Sequence, residues 1–212
     1  LDNSGSMRAS VTSAGAVYYP TDVQTDSSGN VYILSYSYNQ IKKYDSSGNF
    51  VKSIGGSGYG CNQWYYAFDF EIFNDQIYIY SRYGRDIKVM DLDGNCVRNT
   101  SRYVLKNNPW SIAITNDYIY IKYNYQQIDR FNRSNLSFAG SQTFPRSVHT
   151  YGYGGFSANN AGTKLIAGNR SWPIYGLTEW NIGGGGALTF AGHTCTSYSS
   201  SNGCHRYAYG AD

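Results

Sequence analysis

The chain has 212 residues, with 17 Lys+Arg against 14 Asp+Glu and a net charge of +3, a balance too mild for a dedicated nucleic-acid binder. Aromatic residues make up 17% and charged residues only 15%, so the chain can bury a real core and is not a disordered segment. No run approaches the roughly 18 apolar residues of a membrane span.

Taken in order, the apolar stretches recur. Residues 31–36 (Val-Tyr-Ile-Leu-Ser-Tyr), 76–81 (Gln-Ile-Tyr-Ile-Tyr-Ser), 118–123 (Tyr-Ile-Tyr-Ile-Lys-Tyr) and 164–169 (Lys-Leu-Ile-Ala-Gly-Asn) start 45, 42 and 46 residues apart. Before each stands a small polar turn: residues 26–30, 74–75, 116–117 and 159–162. Such Asp, Asn and Gly residues supply the positive φ of tight hairpins. After each comes another strand-like run, at 40–44, 86–90, 127–131 and 176–180, and a second turn at 45–49, 91–95, 132–135 and 181–184. The predicted core of the second strands is Val31, Ile33, Ile77, Ile79, Ile119, Ile121, Leu165 and Ile166. Repeats of about 42–46 residues with four short strands each are the pattern of propeller blades. No stretch carries a helical period, so the chain reads as all-β.

The first repeat resembles an NHL repeat. Pro20, Val23, Asp26, Gly29 to Ile33, Asn39 to Ile41, Tyr44, Asp45, Gly48, Phe50, Val51 and residues 54–58 stand where that family's pattern wants them. Ser35 departs from it, standing where the family commonly has Asp. The resemblance implies a β-propeller of four-stranded blades spanning 1–212 as a single domain. The full blades are expected at about 20–57, 65–103, 109–143 and 153–192. Residues 1–13 and 193–212 align as parts of a split or incomplete fifth blade, so either a five-bladed ring or part of a larger propeller fits. Leu1 to Met7 has the look of a D-x-S-x-S metal site, but the repeat alignment makes it a blade turn. The NHL family hosts binding, sensory and enzymatic propellers, so the resemblance does not fix function.

The four Cys, at 61, 96, 195 and 204, have no metal-ligand spacing. Cys61 could pair with Cys96 and Cys195 with Cys204; buried free thiols are the alternative. Four N-x-S/T sequons, at Asn99, Asn132, Asn135 and Asn169, are a number chance alone would produce. With paired Cys and few Lys, the composition points to an extracellular or cell-surface protein.

In a propeller the tight turns occupy one face, and the second-to-third-strand and blade-joining loops the other. Sorted this way, the second face collects the aromatic residues. The expected ligand-binding residues are Tyr36, Tyr38, Trp64, Arg82, Tyr83, Trp110, Tyr123, Tyr125, Arg170, Trp172 and Tyr175. Such rings suit glycan or protein partners. No catalytic motif frames any Ser, residues 183–186 (Gly-Gly-Gly-Gly) read as a wide turn rather than a phosphate loop, and three scattered His do not make a metal site. The expectation is therefore a non-catalytic binding or adhesion propeller without cofactor or metal, with no nucleic acid among its partners. A structural subunit that self-assembles into a filament or sheath through its incomplete blade is the alternative, and an NHL-like enzyme the third reading.

Overall fold

A computed structural model describes residues 15–123, 127–144, 155–169 and 176–193. The expected fifth-blade segments, apart from His193, lie outside these, as do Cys195 and Cys204. Among these residues sixteen strands form four antiparallel four-stranded sheets, each in sequential order. The first sheet is β1 (Pro20–Thr25), β2 (Val31–Ser35), β3 (Gln40–Tyr44) and β4 (Phe50–Gly55); the second is β5 (Phe70–Phe73), β6 (Gln76–Ser81), β7 (Asp86–Asp91) and β8 (Cys96–Asn99). The third comprises β9 (Pro109–Ile114), β10 (Tyr118–Tyr123), β11 (Gln127–Asn132) and β12 (Phe138–Thr143); the fourth β13 (Phe156–Ala158), β14 (Lys164–Asn169), β15 (Gly176–Ile182) and β16 (Leu188–His193). The four sheets span residues 20–55, 70–99, 109–143 and 156–193. The first two sheets belong to one compact unit, Leu1–Leu105, and the last two to another, Lys106–Asp212.

The turns explain the repeated Asp and Asn. In the first sheet the Asp26 carboxylate accepts hydrogen bonds from the backbone N–H of Ser28 and Asn30, the Asn30 amide and the Tyr32 hydroxyl, at 2.8–3.0 Å. Asp45 repeats the pattern with Ser47 and Asn49, and Asp91 with Asp93 and Asn95. Gly29, Gly48 and Gly94, at φ of +78°, +87° and +87°, close these turns in the left-handed region. One side chain thus satisfies the turn's backbone donors while glycine takes the conformation other residues resist. Burial raises the Asp26 carboxyl, but its four donors outweigh that and hold it below the usual carboxylate range.

Between the first and second sheets lies a core of Tyr32, Leu34, Ile41, Ile54, Trp64, Ala67, Phe70, Ile77, Ile79 and Met90. Between the third and fourth it is Ala113, Tyr120, Ile128, Phe156, Leu165, Ala167, Trp180 and Leu188. Of the predicted core, Ile77, Ile79, Ile119, Ile121 and Leu165 are buried, whereas Val31, Ile33 and Ile166 are only half-buried. The pleat accounts for this: Tyr32 and Leu34 face the second sheet, so Val31 and Ile33 point to the opposite side. Ile166 alternates with Leu165 and Ala167 in the same way. The turn expected at 181–184 also shifts: β15 runs through Ile182, and a 3₁₀ turn at Gly184–Gly186 leads into β16. A side chain at Gly186 would meet the Tyr118 ring at 2.6 Å, and its carbonyl accepts the Tyr120 hydroxyl at 3.0 Å.

Cys61 and Cys96 form a disulfide with Cα atoms 5.5 Å apart, one of the two pairings considered above. No helix is long and apolar enough to cross a membrane among the described residues.

Where the inner strands of the first unit meet, Asp22 on β1 accepts the Phe70 N–H at 3.2 Å and shares a side-chain hydrogen bond with Asp69. Burial pushes the Asp22 carboxyl up to about 6, against hydrogen bonds from Phe70, Asp69, Val23 and Gln24 that pull it down. Buried Tyr80 and the Arg82 guanidinium lie in the same electrostatic neighbourhood. Because the native state keeps this proton to higher pH than the unfolded chain does, folding takes up a proton between about pH 4 and 6. The contribution of Asp22 to stability should therefore fall as pH rises through that window, by on the order of 1–3 kcal/mol, so Asp22→Asn should shift the pH slope of stability upward over that range. Urea titrations at pH 4, 5, 6 and 7 measure this; a slope from pH 4 to 6 unchanged by the substitution contradicts it.

Candidate functional site: a tyrosine and arginine face

The first and second sheets hold their aromatic loops with similar serine-centred clamps that differ in their partners. At the end of β2 the buried Ser35 hydroxyl donates to the Tyr18 carbonyl at 2.8 Å and accepts the Tyr18 N–H at 3.2 Å. At the end of β6 the buried Ser81 hydroxyl accepts the Tyr65 N–H and the Gly84 N–H, each at 3.1 Å. The next peptide closes each clamp: Tyr36 N–H donates to the Tyr19 carbonyl, and Arg82 N–H to the Tyr65 carbonyl. Ser35 thus fixes a loop where the NHL pattern commonly has Asp.

The residues so presented are strained. Tyr19 and Tyr66, each following its clamped tyrosine, sit at φ of +49° and +58°, and the four-residue offsets from Ser35 and Ser81 place Asn39 and Arg85 at +52° and +51°. Tyr103 adds a third left-handed tyrosine at +65°. Bulky residues in this region cost about 1–3 kcal/mol each, a cost that persists where surrounding structure fixes them and that concentrates at functional sites. Asn39 shows how the fixing is done: its side chain accepts the Tyr66 N–H at 2.7 Å and donates to the Ser57 hydroxyl at 2.9 Å.

Two aromatic ladders result. In one, Arg82 lies 5.2 Å over the Phe68 ring, Phe68 stacks on Tyr36 at 4.8 Å, Tyr36 meets Tyr66 at 5.1 Å, and Tyr66 meets Tyr83 at 4.9 Å. In the other, Tyr65 packs on Tyr59 at 5.1 Å, and the Arg102 guanidinium lies 3.7 Å over Tyr59 and 4.8 Å over Tyr103. Arg85 lies 4.8 Å over the same Tyr103 ring. Tyr65 and Tyr66, 6.4 Å apart, join the two. Tyr18 and Tyr38 meet edge-on at 5.5 Å, with Lys42 over Tyr38. Tyr19 is 73% exposed and Tyr83 60%, and Tyr18, Tyr38, Tyr59 and Tyr103 are also exposed.

Four of the expected site residues therefore converge on this face: Tyr36, Tyr38, Arg82 and Tyr83. Three do not belong to an open face. Trp64 is fully buried in the core between the first two sheets, because β4 ends in glycine: a Cβ on Gly55 would meet the Trp64 ring at 2.0 Å. Trp110 is buried as the second residue of the inner strand β9 rather than standing in a loop. Tyr123 is buried at the end of β10, its hydroxyl accepting the Lys106 N–H at 3.2 Å. Tyr125, Arg170, Trp172 and Tyr175 lie outside the described residues. Tyr59, Tyr65, Tyr66, Arg102 and Tyr103 complete the face without being among the expected site residues; Arg102 and Tyr103 stand in the loop joining β8 to β9, on the loop face where the sorting by face places aromatic residues.

Elsewhere, a cleft of about 300 Å³ in the second unit is lined by Tyr120, Arg130, Ser141, Gln142 and Gly186 among others. It is small for a ligand site. Among the described residues no three His, Cys, Asp or Glu side chains gather as metal ligands would.

Solved structures with the same architecture decide the fold. Hydrazine synthase of Kuenenia stuttgartiensis matches 90% of this chain with a TM-score of 0.61 at 12% identity. The chain has the β-propeller fold. A streptogramin B lyase matches 81% with a TM-score of 0.60 at 12% identity, and virginiamycin B lyase from Staphylococcus aureus 80% with 0.57 at 17%. The chain spans about half the length of each, 53–54%. These neighbours include enzymes, and at such identities the likeness is one of fold alone. No family model matches the chain, NHL included, and no curated protein matches it.

Proposed function

We propose that this propeller is a non-catalytic, extracellular binding module that takes a protein partner on the tyrosine and arginine face of its first unit. The observation that carries this is the pair of serine clamps that hold Tyr19 and Tyr66 exposed or half-exposed in a costly backbone conformation. A fold gains nothing in core packing from such residues, so the strain is consistent with a surface held ready for contact. The composition of the face also favours protein. Tyrosine offers a large, stiff, amphipathic contact at low entropy cost, and Ser, Asn and Gly between the rings supply adaptable hydrogen bonds, as in antibody paratopes. Tyr and Arg dominate binding hot spots generally. The Cys61–Cys96 disulfide agrees with an oxidising location.

The test is selection from a displayed random peptide library. The wild type should enrich specific sequences, and a Tyr38→Ala, Tyr83→Ala double variant should bind them at least about 10-fold more weakly with its melting temperature within about 2 °C. No enrichment, or enrichment indifferent to the double substitution, would reject the reading.

A further inference from the structure

The reading of this face as protein-binding leaves open what the partner offers it, and the second ladder answers that. We propose that Arg102, held between Tyr59 and Tyr103, is a carboxylate anchor, and that the partner segment is an acidic peptide. The inference rests on the protein-binding reading. A guanidinium stacked on rings uses its flat faces and leaves its N–H edge for a bidentate carboxylate. One donor of Arg102 goes to the Tyr103 hydroxyl at 2.7 Å, which fixes the side chain before a ligand arrives. That pre-organisation removes an ordering cost binding would otherwise carry.

Charge complementarity points the same way. Arg82, Arg85, Arg102 and Lys42 all lie over rings of this face. Asp86 is the carboxylate that feels Arg102, and it is buried and already bridged to Lys88 at 3.0 Å. Arg102 itself is exposed and makes no ion pair among the described residues. Ring geometry favours a peptide over an acidic glycan. Tyr18–Tyr38, Tyr59–Tyr65 and Tyr66–Tyr83 meet at 75°, 63° and 62°, leaving notches that suit projecting side chains rather than one platform for flat sugar faces.

The experiment uses the full chain and three fluorescein-labelled probes followed by anisotropy: a peptide of repeated Glu-Tyr-Glu-Gly, its counterpart with Gln for Glu, and an oligogalacturonate. The acidic peptide should bind, and its affinity should fall about 10-fold or more between about 50 and 300 mM NaCl. Arg102→Ala should weaken it at least about 10-fold, Arg102→Lys should not restore it, and neither should move the melting temperature. Equal binding of the Gln peptide, lost in the Tyr38→Ala, Tyr83→Ala variant, would overturn the acidic assignment while leaving a protein-binding face. Binding of the oligogalacturonate alone would overturn the peptide assignment, and binding of no probe would overturn the anchor itself.

Discussion

Replacing Trp64 by Ala should destabilise the first unit by about 3–5 kcal/mol, the scale of removing a fully buried large aromatic ring. Trp64 sits in the core between two sheets, and the chain around it has been fitted to the ring: Gly55, at φ +88°, has no room for a methyl group beneath it. Gly55→Ala should therefore also destabilise, through the clash and through a backbone conformation alanine resists. Denaturant midpoints for Trp64→Ala, Trp64→Phe and Tyr83→Ala make the comparison. The expected order is a large loss, a smaller loss, and nearly none. A Trp64→Ala loss as small as that of Tyr83→Ala would place the tryptophan on the surface and contradict the fold.

The second large effect should come from the Cys61–Cys96 disulfide. The bond closes a loop of 35 residues in sequence separation, and restraint of the unfolded chain by a loop of that size is worth about 3–4 kcal/mol. A Cys61→Ser, Cys96→Ser double variant should lose about that much. It should also bind more weakly than its residual stability explains. Cys61 lies in the connection that carries Tyr59, Tyr65 and Tyr66, so the bond ties the aromatic loop to β8. Unchanged stability of the double variant would contradict that weight, and free-thiol titration of the wild type before and after reduction checks the bond itself.

The blades were legible in the sequence because their signals are local. A polar turn, a run of Ile and Tyr and a second polar turn recur at a near-constant spacing, and the Asp26, Asp45 and Asp91 turns are each made from residues at most four apart. What the sequence could not show was which aromatic ring each loop would turn inward. Trp64 and Tyr65 are neighbours, yet one fills the core and the other joins the surface ladder; the difference lies in Gly55 and Ser81, nine and sixteen residues away. Trp110 was misplaced for another reason: β9 begins at Pro109, so a residue expected in a loop is already on an inner strand. Arg102 and Tyr103 look unremarkable until the fold brings Tyr59 against them. The strain at Tyr19, Tyr66 and Tyr103 leaves no compositional trace, since these are not the glycine or asparagine positions that usually mark positive φ.

One footprint tests the functional claim most directly. Nitration of tyrosines by tetranitromethane, mapped by mass spectrometry with and without a library-selected peptide, reads every ring of the face at once. Without peptide, Tyr19, Tyr83, Tyr103 and Tyr18 should react readily, and buried Tyr32, Tyr78, Tyr80 and Tyr120 should resist. With saturating peptide, Tyr19, Tyr38, Tyr59, Tyr83 and Tyr103 should be protected, while the buried rings stay unlabelled as before. Protection confined to tyrosines outside this face, or none at all on bound protein, would contradict the account.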